Sequence, residues 1–200
     1  MYALSYTNLV HLSQASALSR QDLITCLIDL LQKYDEYTAG HTSRVGQIAA
    51  QIAKALDLST PEVQLIYEAG SLHDIGKLHI PLEFICKAGA LSESEYNDVK
   101  KHPLIGAEIL HYFPTLLDLT PGVLYHHERY DGGGYPFGLK KDQIPLSARI
   151  IAVADTFDAM TSTRSYRTAW DIEKAKHELA QCADGQLDPK LVEIALRILE

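Results

Sequence analysis

Two adjacent histidines open the stretch of the chain richest in reactive side chains. It reads His126-His127-Glu128-Arg129-Tyr130-Asp131-Gly132-Gly133-Gly134-Tyr135-Pro136, followed after a short interval by Ala154-Asp155-Thr156-Phe157-Asp158. A hydrophobic core has no use for imidazoles, carboxylates and consecutive glycines in one run. A divalent metal does, because borderline cations take imidazole and carboxylate ligands, and a glycine loop lets backbone come close to a substrate. Further candidate ligands are spread along the chain: His41, the doublet His73-Asp74, and His102. Each alone has an ordinary reading, as a hydrogen-bonded core histidine or a helix-capping aspartate. Together, with two doublets among them, they point to metal binding. Neighbouring residues on a helix point about 100° apart, so a doublet suits a two-metal site or a helix end that unwinds.

The elements that must aim these side chains read as helices throughout, an all-α chain with little strand-like alternation. From Asp22, the residues Leu23, Leu27, Leu30, Leu31 and Tyr34 recur at helical spacing. A second helix carries His41, Val45, Ile48, Ile52 and Leu56 on one stripe, which puts His41 at the end of a core-facing row. Thr60-Pro61-Glu62 starts a third helix that runs to His73-Asp74, with Gly76 expected to end or bend it. Ser92 and Glu95 form a capping box for a helix through Val99. His102-Pro103 begins another, with Ile105, Ile109 and Leu110, and Thr120-Pro121 starts the one that ends in His126-His127. Ile144-Pro145 leads into an apolar helix delivering Asp155 and Asp158, and Asp171 and Asp188-Pro189 cap two final helices. Segments 77–91 and 130–143 read as loops, and Leu4, Leu9, Val10 and Leu12 as a short helix in a weakly patterned start. The candidate ligands thus fall at the inner ends of successive helices, which is how helical bundles assemble metal sites.

The length of 200 residues suits one buried domain, expected over 21–200 after a short extension, 1–20. There is no apolar run long enough for a bilayer and no signal-peptide layout, so the expected location is the cytoplasm, without a membrane. Cys26, Cys86 and Cys182 are far apart with no Cys-x-x-Cys spacing, which fits reduced thiols. A net charge of -8 argues against a nucleic-acid polymer as partner. It leaves a small anionic substrate open, because bound metals and a few arginines reverse the local potential of a cleft.

His73-Asp74-Ile75-Gly76-Lys77 resembles the His-Asp signature of the HD phosphohydrolase superfamily, and the run from His126 through Pro136 resembles the second signature of its HD-GYP subfamily. Asp155-Thr156-Phe157-Asp158-Ala159-Met160-Thr161 with Arg164-Ser165-Tyr166-Arg167, and Tyr37-Thr38-Ala39-Gly40-His41-Thr42-Ser43-Arg44-Val45, are similar to two further blocks of that family. The resemblance implies an HD-domain helical bundle that hydrolyses cyclic di-GMP to the linear dinucleotide pGpG, to GMP, or both. It implies that His41, His73, Asp74 and Asp155 hold one metal, and that Asp74 bridges to a second held by His102, His126 and His127. Iron is the usual family metal and manganese a common substitute. Some members hold a third metal with a glutamate four residues before the first histidine. Tyr37 stands there in this chain, a poor ligand while neutral, so two metals are expected.

Two metals lower the pKa of a bridging water and clamp the phosphate, so hydroxide attacks phosphorus in line. Lys77 is expected to stabilise or protonate the leaving 3′-oxygen. Asp158 is expected to orient Lys77 or a metal-bound water, or else to cap a carbonyl. Arg164 and Arg167 fit substrate phosphate as guanidinium forks. Tyr135 is placed to stack on a guanine, while the Gly-Tyr-Pro loop offers a docking surface for a signalling-protein partner. The alternatives are a phosphohydrolase of another cyclic or linear nucleotide, and a non-catalytic module that senses the nucleotide or docks a partner.

Overall fold

The computed structural model describes residues 18–87, 89–163 and 168–199, with Glu36, Tyr37 and Ala39 described by their backbone only. The short helix expected before Leu18, the two arginines Arg164 and Arg167, and the side chain of Tyr37 lie outside the described residues.

Ten α-helices follow one another among the described residues: α1 (Arg20–Tyr34), α2 (Glu36–Ala55), α3 (Thr60–Leu72), α4 (Leu82–Ile85), α5 (Glu93–Val99), α6 (His102–His111), α7 (Thr120–Tyr125), α8 (Leu146–Thr161), α9 (Ile172–Gln181) and α10 (Pro189–Ile198). The starts are chemical. The side chains of Asp22, Glu62 and Glu95 reach back to the backbone N–H of Ser19, Ser59 and Ser92, and Asp171 and Asp188 accept from Lys174 and Lys190 N–H. Each satisfies a donor that has no partner inside its own helix. Proline sits in the first turn of α3, α6, α7 and α10, where its missing N–H costs nothing.

The helices pack around α2, which lies against α1, α3 and α8. Leu27 and Leu31 of α1, Val45, Ala49 and Ile52 of α2, Ile66, Ala69 and Leu72 of α3, and Ile150, Ile151 and Val153 of α8 are buried together. Each larger member stabilises the fold by about 1.5–3 kcal/mol through apolar burial. Two close backbone crossings set the geometry of the site. At the first, α2 meets α3 with Gly46 Cα only 3.0 Å from where a Cβ on Gly70 would lie. This crossing brings the imidazole rings of His41 and His73 to 5.4 Å between centroids. At the second, a Cβ on Gly76 would lie 1.9 Å from the His102 carbonyl oxygen, so the absence of a side chain is what lets α6 start beside Asp74.

The expected role of Gly76 as a helix stop needs correcting. α3 ends at Leu72, and Gly76 sits inside a 3-10 turn, Ile75–His79, where close approach is its function. Segment 77–91 is not all loop either, since it holds part of that turn and α4, and segment 130–143 closes on a second short turn, Lys141–Gln143. Single turns carry too few residues for apolar periodicity to register. No helix among the described residues is long and apolar enough to cross a membrane.

Candidate metal centre

Three of the histidines are oriented by the helix ends beside them. The Nδ1 of His73 lies 2.7 Å from Gly70 O, that of His102 lies 2.8 Å from Val99 O, and that of His126 lies 2.7 Å from Val123 O. Carbonyls in the last turn of a helix lack an intrahelical donor, so the ring N–H supplies one. That bond fixes the proton on Nδ1 and turns the Nε2 lone pair inward. His41 is oriented differently, with its Nδ1 2.7 Å from Asp158 Oδ2. Asp158 in turn accepts from Arg44, at 2.6 Å from Nε and 3.1 Å from Nη2.

The inward-facing atoms converge. Ligand atoms of His102, His126 and His127 all lie within 4.8 Å of one another, and so do those of His41, His73 and Asp155. Asp74 stands between the two groups. Its Oδ1 is 3.3 Å from His102 Nε2, while its Oδ2 is 3.4 Å from His73 Nε2 and 3.9 Å from His41 Nε2. His41 Nε2 is also 3.1 Å from Asp155 Oδ1.

His102 Nε2 and His126 Nε2 are 3.2 Å apart. With both Nδ1 protons committed to carbonyls, two lone pairs face each other across that gap, and only an added proton or a cation relieves them. Burial disfavours the proton: it pushes His102 down to about 3 and His127 down to about 4, and, with its histidine neighbours, holds His126 well below the ordinary range. A divalent cation fits this donor set of neutral imidazoles and carboxylates. Burial also works against ionisation of Asp74, yet Lys77 and the surrounding histidines hold its carboxyl well below the usual carboxylate range. Asp155 is likewise held down against burial by its bond with His41. His41 is pushed up to about 9 despite burial, through Asp155 and Asp158.

All seven expected ligands therefore fall in one cluster, five of them buried and His127 and Asp155 half-buried at its edge. Lys77 Nζ lies 2.6 Å from Asp74 Oδ2. Asp158, expected to orient Lys77 or a metal-bound water or to cap a carbonyl, holds His41 and Arg44. Sequence reading passed over Arg44. The available signal was a pair of i, i+3 spacings, His41 with Arg44 and Asp155 with Asp158, each of which places two side chains on one helix face.

The glycine loop walls one side of the cluster. Glu128, buried at its base, accepts Phe137 N–H at 2.7 Å and Leu139 N–H at 3.0 Å on its two carboxylate oxygens. Tyr130 N–H and Asp131 N–H donate to Gln186 O and Gly185 O, which ties the loop to the turn before α10. The Tyr135 ring stacks on His127, with centroids 4.8 Å apart and planes 28° apart. A cavity of about 290 Å³ opens between loop and metal cluster, lined by His126, His127 and Asp155 on one side and by Tyr96, Gly133, Gly134, Tyr135 and Gln186 on the others.

The model of the HD domain matches residues 25–191. The cyclic di-GMP phosphodiesterase response regulator RpfG of Xanthomonas campestris is 44% identical over 81% of this chain, and a cyclic di-GMP phosphodiesterase of Thermotoga maritima is 39% identical over 89%. The chain spans 44% and 50% of the lengths of these two relatives. Among solved structures, a cyclic GMP-AMP specific phosphodiesterase of Vibrio cholerae (V-cGAP3) superposes with a TM-score of 0.67 at 23% identity, over 88% of this chain and 48% of that one, and shows the shared fold. The chain belongs to the HD-domain family, in the HD-GYP branch that its glycine loop resembles.

Proposed function

We propose that the chain is a metal-dependent phosphodiesterase that hydrolyses a cyclic dinucleotide, cyclic di-GMP in the first place, to pGpG, GMP or both. The observation that carries this reading is the placement of Asp74. Its two carboxylate oxygens face two separate groups of inward lone pairs, the arrangement a carboxylate bridging two cations requires. His41, His73, Asp74 and Asp155 would hold one ion and His102, His126 and His127, with Asp74, the other. Bound there, two divalent ions, iron or manganese, would supply Lewis acidity toward the phosphate and toward water. The names of the relatives at 44% and 39% identity support the substrate class.

The remaining roles belong to the chain's own side chains. Lys77 keeps its ammonium against Asp74 with about a fifth of its side chain exposed, so it borders both the buried cluster and solvent. From there it protonates the leaving 3′-oxygen. Asp158 holds the His41 ring at its angle. We assign the grip on substrate phosphate to Arg164 and Arg167. Tyr135, one face of whose ring lies on His127, borders the substrate cavity beside the cluster. Phe137, more than half exposed, gives the same loop an apolar point of attachment for a signalling-protein partner.

The test is turnover of cyclic di-GMP by protein purified without oxygen and loaded with iron or manganese, with metal counted in the same sample. Hydrolysis with about two metals per chain, both abolished by Asp74→Ala, is expected. Two metals with no hydrolysis would redirect the search to other nucleotides. Nucleotide binding without metal or turnover would make the domain a receptor.

A further inference from the structure

The cavity beside the metal cluster has a composition that phosphate chemistry does not require. Besides His126, His127 and Asp155, its lining includes a bare backbone surface, an aromatic ring from another helix and an amide. The bare surface is the Gly133–Gly134 segment. A Cβ on Gly134 would fall 2.3 Å from Arg129 N and 2.6 Å from His127 O, so no side chain fits between this glycine and the loop's base, and Gly133 and Gly134 line the cavity as backbone alone. A flat ring can lie on such a surface. The aromatic ring is Tyr96, which comes from a separate element, α5, and is 50% exposed although it lines the cavity. Lys100 Nζ sits 4.9 Å from the Tyr96 ring centroid. The amide is Gln186, which carries both donors and acceptors; its contact with Thr156 Oγ1 is long, at 3.4 Å. Arg129 lines the same space, but Asp131 takes its fork at 3.1 and 2.6 Å, so it serves as a brace of the loop.

We infer that this cavity is a nucleobase subsite, in which Tyr96 stacks on the purine next to the attacked phosphate and Gln186 meets the base edge. The inference rests on the phosphodiesterase reading and adds to it the residue that selects for a base. Tyr135 lines the same cavity but is half-buried and stacked on His127, whereas the Tyr96 ring is half exposed. Tyr96 lies outside the metal cluster, so its effect is separable from metal loading.

The experiment compares Tyr96→Ala and Tyr96→Phe with the parent protein, all manganese-loaded and metal-counted. Two probes are used for turnover, cyclic di-GMP and an abasic 3′,5′-diribose phosphodiester, and GMP binding is measured by calorimetry. Losing a base–aromatic stack should raise KM for cyclic di-GMP and weaken GMP about 5- to 150-fold in Tyr96→Ala. Metal content and turnover of the abasic diester should stay at the parent level, and Tyr96→Phe should restore nucleotide binding. Equal losses on the two diesters in Tyr96→Ala, or unchanged KM and GMP affinity, would overturn the subsite. A parent protein that cleaves neither diester would sink the phosphodiesterase reading, and GMP binding by the two variants would still decide the subsite.

Discussion

Gly76→Ala is the perturbation whose consequences the structure sets most sharply. The added Cβ would lie 1.9 Å from His102 O and 2.6 Å from Gly106 N, where ordinary contact begins at 3.4 Å. Both obstacles are backbone, so no side chain can rotate away. Overpacking that forces shifts of this kind costs about 1–3 kcal/mol, and the upper end applies when the blocked atoms belong to a helix start. In a chain of this length that corresponds to a fall in the thermal midpoint of roughly 6–12 °C. The second consequence is local. α6 must move away from the turn, and it carries His102, whose Nε2 is 3.3 Å from Asp74 Oδ1 and 3.2 Å from His126 Nε2. The group formed by His102, His126 and His127 should then bind its ion about 10–100-fold more weakly, the usual penalty for disturbing ligand support. Thermal unfolding of the metal-free protein and chelator-competition titration of the loaded protein read these two effects separately. Gly89→Ala is the control, because nothing lies within 4 Å of a Cβ there. If Gly76→Ala melted within about 2 °C of the parent and bound the full metal complement at parent affinity, the close crossing would not be what holds His102 in place.

Asp158→Asn keeps the side-chain shape but removes the charge shared by His41 and Arg44. It should weaken the ion held by His41 about 10–100-fold while leaving the ion at His102 less affected, as two-site titration would show by which affinity moves. Glu128→Gln leaves one amide oxygen for the two N–H groups of Phe137 and Leu139. The loss should be about 1–3 kcal/mol, visible as faster hydrogen exchange at those amides; unchanged protection would refute it. The metal-free protein should also show a stability maximum near pH 6.5. His102 and His127, pushed down to about 3 and 4 by burial, make the unfolded chain the better proton binder below the ordinary histidine value of 6.5, so stability falls as pH drops. His41, held up to about 9, adds stability that is complete below 6.5 and is lost as pH rises through 9. A thermal midpoint that climbed steadily toward pH 9 or toward pH 4 would contradict this balance.

What sequence reading could reach was whatever a single helix encodes. The helix start at Thr60-Pro61, the apolar stripe that ends in His41 and the box of Ser92 with Glu95 each act within one element, and each recurs in the fold, although the cap of the first is Ser59, one residue earlier, boxed with Glu62. Assembly of the seven candidate ligands followed from the family resemblance and from their position at helix ends. What stayed hidden depends on elements far apart in the chain. Arg44 and Asp158 meet across 114 residues; the i, i+3 spacings place each on the face of a candidate ligand, but nothing local says that the two faces meet. Gly76 looked like a helix stop because its neighbour across the fold, the His102 carbonyl, is not visible in a one-dimensional pattern. The stacking of Tyr135 on His127 is hidden for a different reason, since glycine loops have no periodicity from which to infer a path.

The way each ring is held has a consequence for how the centre tolerates change elsewhere in the molecule. His73, His102 and His126 take their orientation from carbonyls three residues back, so their wiring is local, within one helix end for His73 and His126 and across the short α5–α6 junction for His102. Core substitutions that shift a helix as a body should alter spacing between these rings while leaving each ring's donor strength intact. His41 is the exception, because its partner Asp158 lies on α8 while the ring itself lies on α2. Slippage between those two helices changes the basicity of that one ligand. Sensitivity to distant mutation should therefore gather at the His41 side of the centre, and drift in a lineage should be tightest at the α2–α8 seam.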